Sequence, residues 1–331
     1  MALRVLVTGA GGFIGRVLVK RLLAEGLNGR HVDRIVAVDV ALDGMADEAR
    51  VQAVRGSIAN AGVLEQALAE PVEAVFHLAS IPGGAAEQAP DTARRVNLDA
   101  TVRLLELLRS QAEATQVVAR LVFASTVAVY GEALPATVDE DTRCAPALSY
   151  GAHKLAAEIL IADAARRHWV EGCSLRLPGV VARPGDDAGL VSAFMSQLFW
   201  KLAQGEPIVL PVSAHGTAWW ISVAACVDNL VHAAGIDTAA LGPARVAQMP
   251  ALHLSMRDVV DALARAHGED RRALVGYAPQ ERVQRLFGSY PPLLTPRAET
   301  LGFRHDGDAD ALVRRATVRS AKLVKGTAWR G

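Results

Sequence analysis

The stretch Leu3-Arg4-Val5-Leu6-Val7-Thr8-Gly9-Ala10-Gly11-Gly12-Phe13-Ile14-Gly15 constrains this chain more than any other. A short apolar run ends in a glycine cluster, and Phe13, Val17, Leu18, Leu22 and Leu23 follow at helical spacing. The pattern is strand, tight turn, helix. Gly9 permits the turn, Gly12 lets backbone approach a pyrophosphate, and Gly15 allows close packing of helix on strand. The phosphate would sit on the helix N-terminus, at the backbone of Phe13 and Ile14. A glycine cluster is weak by itself, and its context between strand and helix carries the reading.

Arg34-Ile35-Val36-Ala37-Val38-Asp39 reads as a second strand that ends in an acid. A carboxylate there accepts hydrogen bonds from adenosine ribose hydroxyls and repels a 2′-phosphate. Val40, Ala41 and Leu42 offer no Arg to hold such a phosphate, so NAD is favoured over NADP. The plainer alternative is a strand-end Asp that caps a turn. Val51 to Arg55 reads as a third strand, followed by Gly56-Ser57-Ile58. Ala74 to Ser80 is a fourth, apolar throughout, as a strand covered on both faces should be. His77 reads as a packed core histidine. The loop after that strand, from Ile81 to Ala85, lies where ligands bind in open α/β sheets. Asp91 to Ser110 reads as one long helix with Asn97 near its start. Arg120 to Ala124 is a fifth strand with Ser125-Thr126 at its end, and Cys173 to Pro178 a sixth. Strands alternating with helices argue for an α/β fold, a Rossmann-type doubly wound parallel sheet.

Beyond Pro178 the pattern loosens. Leu190 to Ala203, Val223 to Ala234 and Met256 to His267 read as helices. Pro207 to Pro211 and Ala218 to Ile221 read as short strands, and Tyr277 to Pro296 carries no firm element. The expected organisation is a dinucleotide-binding domain at 1–180, to which part of 223–250 returns, a smaller cap mainly at 181–315, and a loosely ordered basic tail at 316–331. Trp219 and Trp220 read as core or interface rather than as a ligand cage.

Tyr150 and Lys154 stand four residues apart at the start of a helical run, so both side chains share one face. An unperturbed tyrosine has a pKa of about 10. A neighbouring cation favours the phenolate and brings proton transfer towards neutral pH. The bland reading is a helix start whose Tyr packs and whose Lys is solvated.

Composition narrows the classes. Lys+Arg and Asp+Glu are equal at 35 each in 331 residues, which leaves no global electrostatic case for nucleic acid or an anionic membrane. Three cysteines with no Cys-x-x-Cys pair disfavour a zinc site or a disulfide framework, and no metal is expected. Without a signal-peptide h-region or a span of membrane length, a cytoplasmic protein is the expectation.

Thr8-Gly9-x-x-Gly12-x-x-Gly15, Asp39, His77-Leu78-Ala79, Asn97, Ser125-Thr126-x-x-x-Tyr130-Gly131, Tyr150-x-x-x-Lys154 and Leu175-Arg176-Leu177-Pro178 together resemble the extended short-chain dehydrogenase/reductases, the NAD-dependent epimerase/dehydratase superfamily. The resemblance implies that Tyr150 is the general acid/base. It implies that Lys154 lowers the Tyr150 pKa and holds the nicotinamide ribose, and that Thr126 hydrogen-bonds the reacting oxygen. Ser125 would adjoin cofactor and substrate. Leu78, Ala79, Asn97 and Pro178 would line the cofactor, with Ser57 and Ile58 near the adenine. Ser57 departs from the family, which usually has Asp there. The helices carrying Leu104 and Tyr150 often pair two subunits in this family, which implies a homodimer.

Nucleotide-sugar members commonly place an Arg before a late aromatic-aliphatic strand. Here Gly216-Thr217-Ala218-Trp219-Trp220-Ile221-Ser222-Val223 has none, which argues against a diphosphate substrate. Gly29-Arg30-x-Val32-Asp33-Arg34, Arg95-Val96-Asn97-Leu98-Asp99-Ala100-Thr101, Arg176 through Gly185 and Leu301-Gly302-Phe303 are similar to the D-erythronate dehydrogenase branch. That branch implies NAD-dependent oxidation of the C2 hydroxyl of a small sugar acid. A carboxylate substrate needs a cation, for which Arg183 is the candidate, and Ser80 is placed to bind substrate hydroxyls. Two alternatives stay open: a nucleotide-sugar epimerase or dehydratase that recycles NAD, and a non-catalytic NAD-binding regulator.

Overall fold

The computed structural model describes residues 2–45, 48–185 and 191–324, with side chains to residue 317. The chain divides into two compact units. The first comprises Met1–Gly131, Cys144–Leu177 and Val227–Gln248; the second comprises Glu132–Arg143, Pro178–Cys226 and Met249–Gly331. Compared with the division expected from sequence, residues 132–143 and 178–180 go with the second unit.

The strands of the first unit are β1 (Arg4–Thr8), β2 (Arg34–Asp39), β3 (Val51–Arg55), β4 (Ala74–His77), β5 (Ala119–Thr126) and β6 (Val170–Leu177). A short seventh, Val246–Gln248, joins the far edge. Across the sheet the order is Val246–Gln248, β6, β5, β4, β1, β2, β3. Every pairing is parallel. The strand order reverses between β1 and β4, which makes the carboxyl end of β1 the switch point where α/β ligands bind.

Between the strands run α1 (Phe13–Glu25), α2 (Ala61–Ala67), α3 (Gly83–Gln88), α4 (Pro90–Arg94), α5 (Ala100–Thr115) and α6 (Ser149–Arg166). Leu6, Val36, Val75, Leu121 and Phe123 from the sheet meet Leu104 and Leu108 of α5 and Ala157 and Ile161 of α6 in one buried cluster. Each fully buried Leu or Ile contributes about 1.5–3 kcal/mol relative to exposure. The single helix expected over 91–110 is interrupted: α4 leads into a π-helical turn, Arg95–Asp99, before α5 begins. Such turns change the rotation of the helix and tend to sit at functional places. Here the turn carries Asn97.

The second unit has a three-stranded sheet with Thr217–Ser222 in the middle, antiparallel to Leu252–Ser255 and parallel to Gly179–Val181. Ile208–Leu210 pairs with Val275–Tyr277. Helices Ala193–Gln204, Met256–His267 and Ala309–Val324 close around Leu198, Phe199, Trp220, Leu263 and Leu312. Trp219 and Trp220 are both core residues: their indole nitrogens donate to the carbonyls of Pro291 (2.7 Å) and Leu254 (3.0 Å). Pairing with a late segment is what buries their polar handles, as a buried Trp requires.

Two expectations need correction here. The segment 277–296 contains a helix, Glu281–Phe287, which Pro and Gly at its flanks obscure. The basic tail does not start as loose chain: the helix Ala309–Val324 covers its first part, and Ala316 is buried beside Leu312 and Val313. Lys325 and Arg330 lie outside the described residues, as does Leu190 at the start of the helix expected over 190–203.

Candidate active site

Gly9 turns the chain out of β1 with φ +71°, and its N–H donates to Val38 O (2.8 Å). A Cβ on Gly15 would lie 2.1 Å from Gly9 O, so α1 packs on the turn at a distance only glycine allows. Gly12 differs. A Cβ there would meet only Gly9 O, at 3.3 Å, and Gly12 is the N-cap of α1 with no side-chain hydrogen bond at the cap. Backbone there is open to an anion, and the helix N-terminus favours one. Asp39, at the end of β2, accepts from Gly11 N–H (3.0 Å) and Ala41 N–H (3.3 Å). Its carboxylate is thereby fixed beside the turn. Ser57 is half-buried and accepts from Ala59 N–H (3.3 Å), and Ile58 is buried. These residues fit the diphosphate and adenosine half of a dinucleotide: an uncapped helix end, a cradle that a side chain would fill, and an acid at the ribose position.

Behind the loop that follows β4 lies a closed chain of hydrogen bonds. Ala79 N–H donates to Thr8 Oγ1 (3.3 Å), and Thr8 Oγ1 is 2.7 Å from His77 Nδ1. His77 Nε2 is 2.9 Å from Thr101 Oγ1, which donates to Asn97 O. Since the Thr101 hydroxyl proton goes to Asn97, His77 carries its proton on Nε2 and accepts on Nδ1. Burial, with the charge of Lys154 adding to it, pulls His77 down to about 3, so the imidazole is neutral. Asn97 accepts from Ile81 N–H (2.7 Å) and donates to Ile81 O (2.9 Å). Its amide therefore fixes the backbone of Ile81, at the end of the half-buried stretch Leu78, Ala79 and Ser80.

At the carboxyl end of β5 the chemistry changes to ionisable groups. Lys154 is 1% exposed, its Nζ donates to Ala124 O (2.8 Å), and the ammonium lies 4.5 Å from the Phe123 ring centre and 5.8 Å from that of Tyr150. Burial pulls the ammonium down to about 7, with the Glu158 carboxylate one turn on acting in the other direction. Thr126 closes β5, and its Oγ1 accepts from Ala128 N–H (3.1 Å). A Cβ on Gly151 would stand 2.6 Å from Ala128 O, so the first turn of α6 sits directly on residues 127–130. That close approach sets the helix turn that carries Tyr150 against residues 127–130, which follow Thr126 directly, while Lys154 reaches Ala124 O on the same strand as Thr126. Tyr150 is half-buried.

Sequence reasoning did not find the polar network beneath them. Ser125 Oγ donates to Glu158, and Glu158 takes Arg176 through Nε (3.1 Å) and Nη2 (2.8 Å). Arg176 donates to Tyr130 Oη (3.2 Å), which donates to Gln248 (3.1 Å). Burial works against the charge on Arg176, and the Glu158 contacts more than offset it, holding the guanidinium above its ordinary range. Ser125, 2% exposed, thus directs its hydroxyl proton to Glu158. The available signal was Glu158 itself, four residues beyond Lys154 on the same helix face. In the second unit, Pro178 is buried directly after β6, and the carbonyl of half-buried Arg183 accepts from Trp200 Nε1 (2.6 Å).

Residues 5–237 match the model of the NAD dependent epimerase/dehydratase family, and the chain belongs to that family. It is an NAD-dependent oxidoreductase. Over 98% of its length it is 36% identical to D-erythronate dehydrogenase from Cupriavidus necator, all of which is covered. It is 30% identical to D-erythronate dehydrogenase from Haemophilus influenzae, over 92% of this chain and 96% of that one. A crystal structure titled nucleoside-diphosphate-sugar epimerase from Agrobacterium tumefaciens superposes with TM-score 0.88 at 30% identity, covering 98% of this chain and 96% of the other. Among the described residues no helix is long and apolar enough to cross a membrane.

Proposed function

We propose that this chain oxidises the C2 hydroxyl of a small, D-erythronate-like sugar acid to the 2-oxo acid, with Tyr150 as general base. The observation that carries the reading is the buried Lys154, held by Ala124 O at the end of β5 with its ammonium over the Tyr150 ring. A positive charge there favours the phenolate. Thr126 hydrogen-bonds the substrate hydroxyl and orients it, and Tyr150 takes the hydroxyl proton. Bound NAD supplies the hydride acceptor. Gly12, the first turn of α1 and Asp39 hold the cofactor's pyrophosphate and ribose. The two similar dehydrogenases named for D-erythronate support the substrate class. Arg183, its backbone anchored by Trp200, pairs with the substrate carboxylate, and Ser80 with a hydroxyl. Exposed Val102 on α5 and Ile159 and Leu160 on α6 support pairing of two subunits through those helices.

The test is a panel of C4 to C6 aldonates with NAD, followed at the absorbance of reduced nicotinamide. The expected result is stoichiometric NADH with D-erythronate or a near stereoisomer. A second reading, a nucleotide-sugar epimerase, is favoured by the likeness to the Agrobacterium structure. The strand Thr217–Ser222 opposes it, since no Arg stands there or just before it to take a diphosphate. Nucleotide-sugar turnover without net NADH would replace the first reading by the second. Tight NAD binding with no turnover of either class would leave a non-catalytic regulator.

A further inference from the structure

The rim of the adenosine ribose position holds two arginines that the residues directly after β2 give no hint of. Arg55 is the register partner of Asp39 across β2 and β3, and partners in parallel strands point to the same face. Gly56 N–H, next along, donates to Asp39 O (2.9 Å). Arg16 reaches the same place from α1: its Nε donates to Gly11 O (2.7 Å), while Gly11 N–H donates to Asp39. Asp39 and Arg16 are therefore tied to the two ends of one residue. Both arginines then converge on Asp43. Arg16 Nη1 donates to Asp43 O (2.8 Å), and Arg55 Nη2 stands 3.3 Å from Asp43 Oδ1.

We propose that Arg16 and Arg55 form a latent site for a phosphomonoester on the adenosine 2′ oxygen, closed by Asp43 and forbidden by the charge of Asp39. The chain's preference for NAD then comes from one carboxylate, not from a lack of cations. Energetics favour the idea. Arg55 and Asp43 are 61% and 68% exposed, and an ion pair in that setting contributes about 0–1 kcal/mol, so Arg55 is readily given up to a better partner. A phosphate dianion is such a partner, because a guanidinium binds it through two parallel hydrogen bonds. Asp39, held by Gly11 and Ala41, cannot swing away from that dianion.

The experiment measures binding rather than turnover. Isothermal titration calorimetry would compare adenosine 2′,5′-bisphosphate with adenosine 5′-monophosphate on the full chain and on Asp39→Asn, which keeps an acceptor for Gly11 N–H while losing the charge. The expected result is a bisphosphate-to-monophosphate affinity ratio at least tenfold higher in Asp39→Asn than in the full chain, the monophosphate itself weakening because its ribose loses a carboxylate acceptor. Adding Arg55→Ala removes most of that gain, and adding Asp43→Asn enlarges it. Arg16→Ala also removes the gain; because Arg16 touches the glycine turn, the Arg55→Ala arm decides. Asp39→Ser gives the same neutral site should Asp39→Asn fail to fold. No gain in the neutral variants, or a gain untouched by Arg55→Ala, overturns the proposal. Either result is independent of which sugar acid the chain oxidises.

Discussion

The carboxyl ends of β1 and β2 and the carboxyl ends of β5 and β6 belong to one sheet and work by different physics. The first is built from backbone: an uncapped helix end, glycines at van der Waals limits and one carboxylate fixed by two N–H groups. Steric volume controls it. The second is built from buried charge, with Lys154, Glu158 and Arg176 inside the protein. Removing a charge matters there more than adding a methyl group. A fold can thus hold a cofactor by shape at one place and set proton affinity at another.

The largest expected effect belongs to the charged half. Tyr150→Phe should retain NAD binding and lose turnover by roughly a hundredfold to ten-thousandfold, the usual range for a general acid/base. Steady-state rates beside a cofactor titration check it, and retained turnover would take Tyr150 out of the mechanism. Glu158→Gln comes next. It leaves Arg176 buried without its counter-charge, a change that costs about 3–5 kcal/mol in such pairs. Denaturant melts should show a loss of that order. A loss under 1 kcal/mol would mean that the pair is dispensable.

The backbone half should divide two neighbouring glycines. Gly15→Ala drives a methyl group into Gly9 O and should cost about 1–3 kcal/mol as an overpacking change. Gly12→Ala meets little and should melt close to wild type, yet bind NAD at least tenfold more weakly because the methyl group stands in the anion's path. Calorimetry on both variants tests the contrast, and equal NAD affinity in Gly12→Ala and wild type would remove the pyrophosphate from that place.

The smallest effect per step lies between the two halves, at His77. Its native pKa of about 3 lies below the unfolded value of 6.5, so between these values the unfolded chain binds more protons. The contribution is complete above 6.5 and is lost as pH falls towards 3, with a slope approaching roughly 1.4 kcal/mol per unit. Urea melts across that window should show His77→Gln flatter than wild type by one proton. Parallel curves would mean that His77 is protonated in the native state.

Much of this was legible in the linear chain, for particular reasons. Gly9, Gly12, Gly15 and Asp39 carry their meaning through near neighbours, since a strand, a turn and a helix follow one another within a few tens of residues. Tyr150 and Lys154 share a helix face by spacing alone. The aim of the Asn97 amide at Ile81 was not legible, because the π-helical turn around it depends on packing that no periodicity reports. The bond from Ser125 to Glu158 was not legible either, because the two lie thirty-three positions apart.

The sequence by itself determined the α/β alternation, the glycine turn and the acid after it, because local backbone preferences and hydrophobic period are properties of adjacent residues. Only the tertiary structure decided that Arg16 and Arg55 meet at Asp43, that Glu158, Arg176, Tyr130 and Gln248 join in one network, and that Gly151 seats α6 against Ala128. Those meetings need strands paired in register and chain segments returned from far along the polymer. That is a matter of packing, which no single stretch of residues contains.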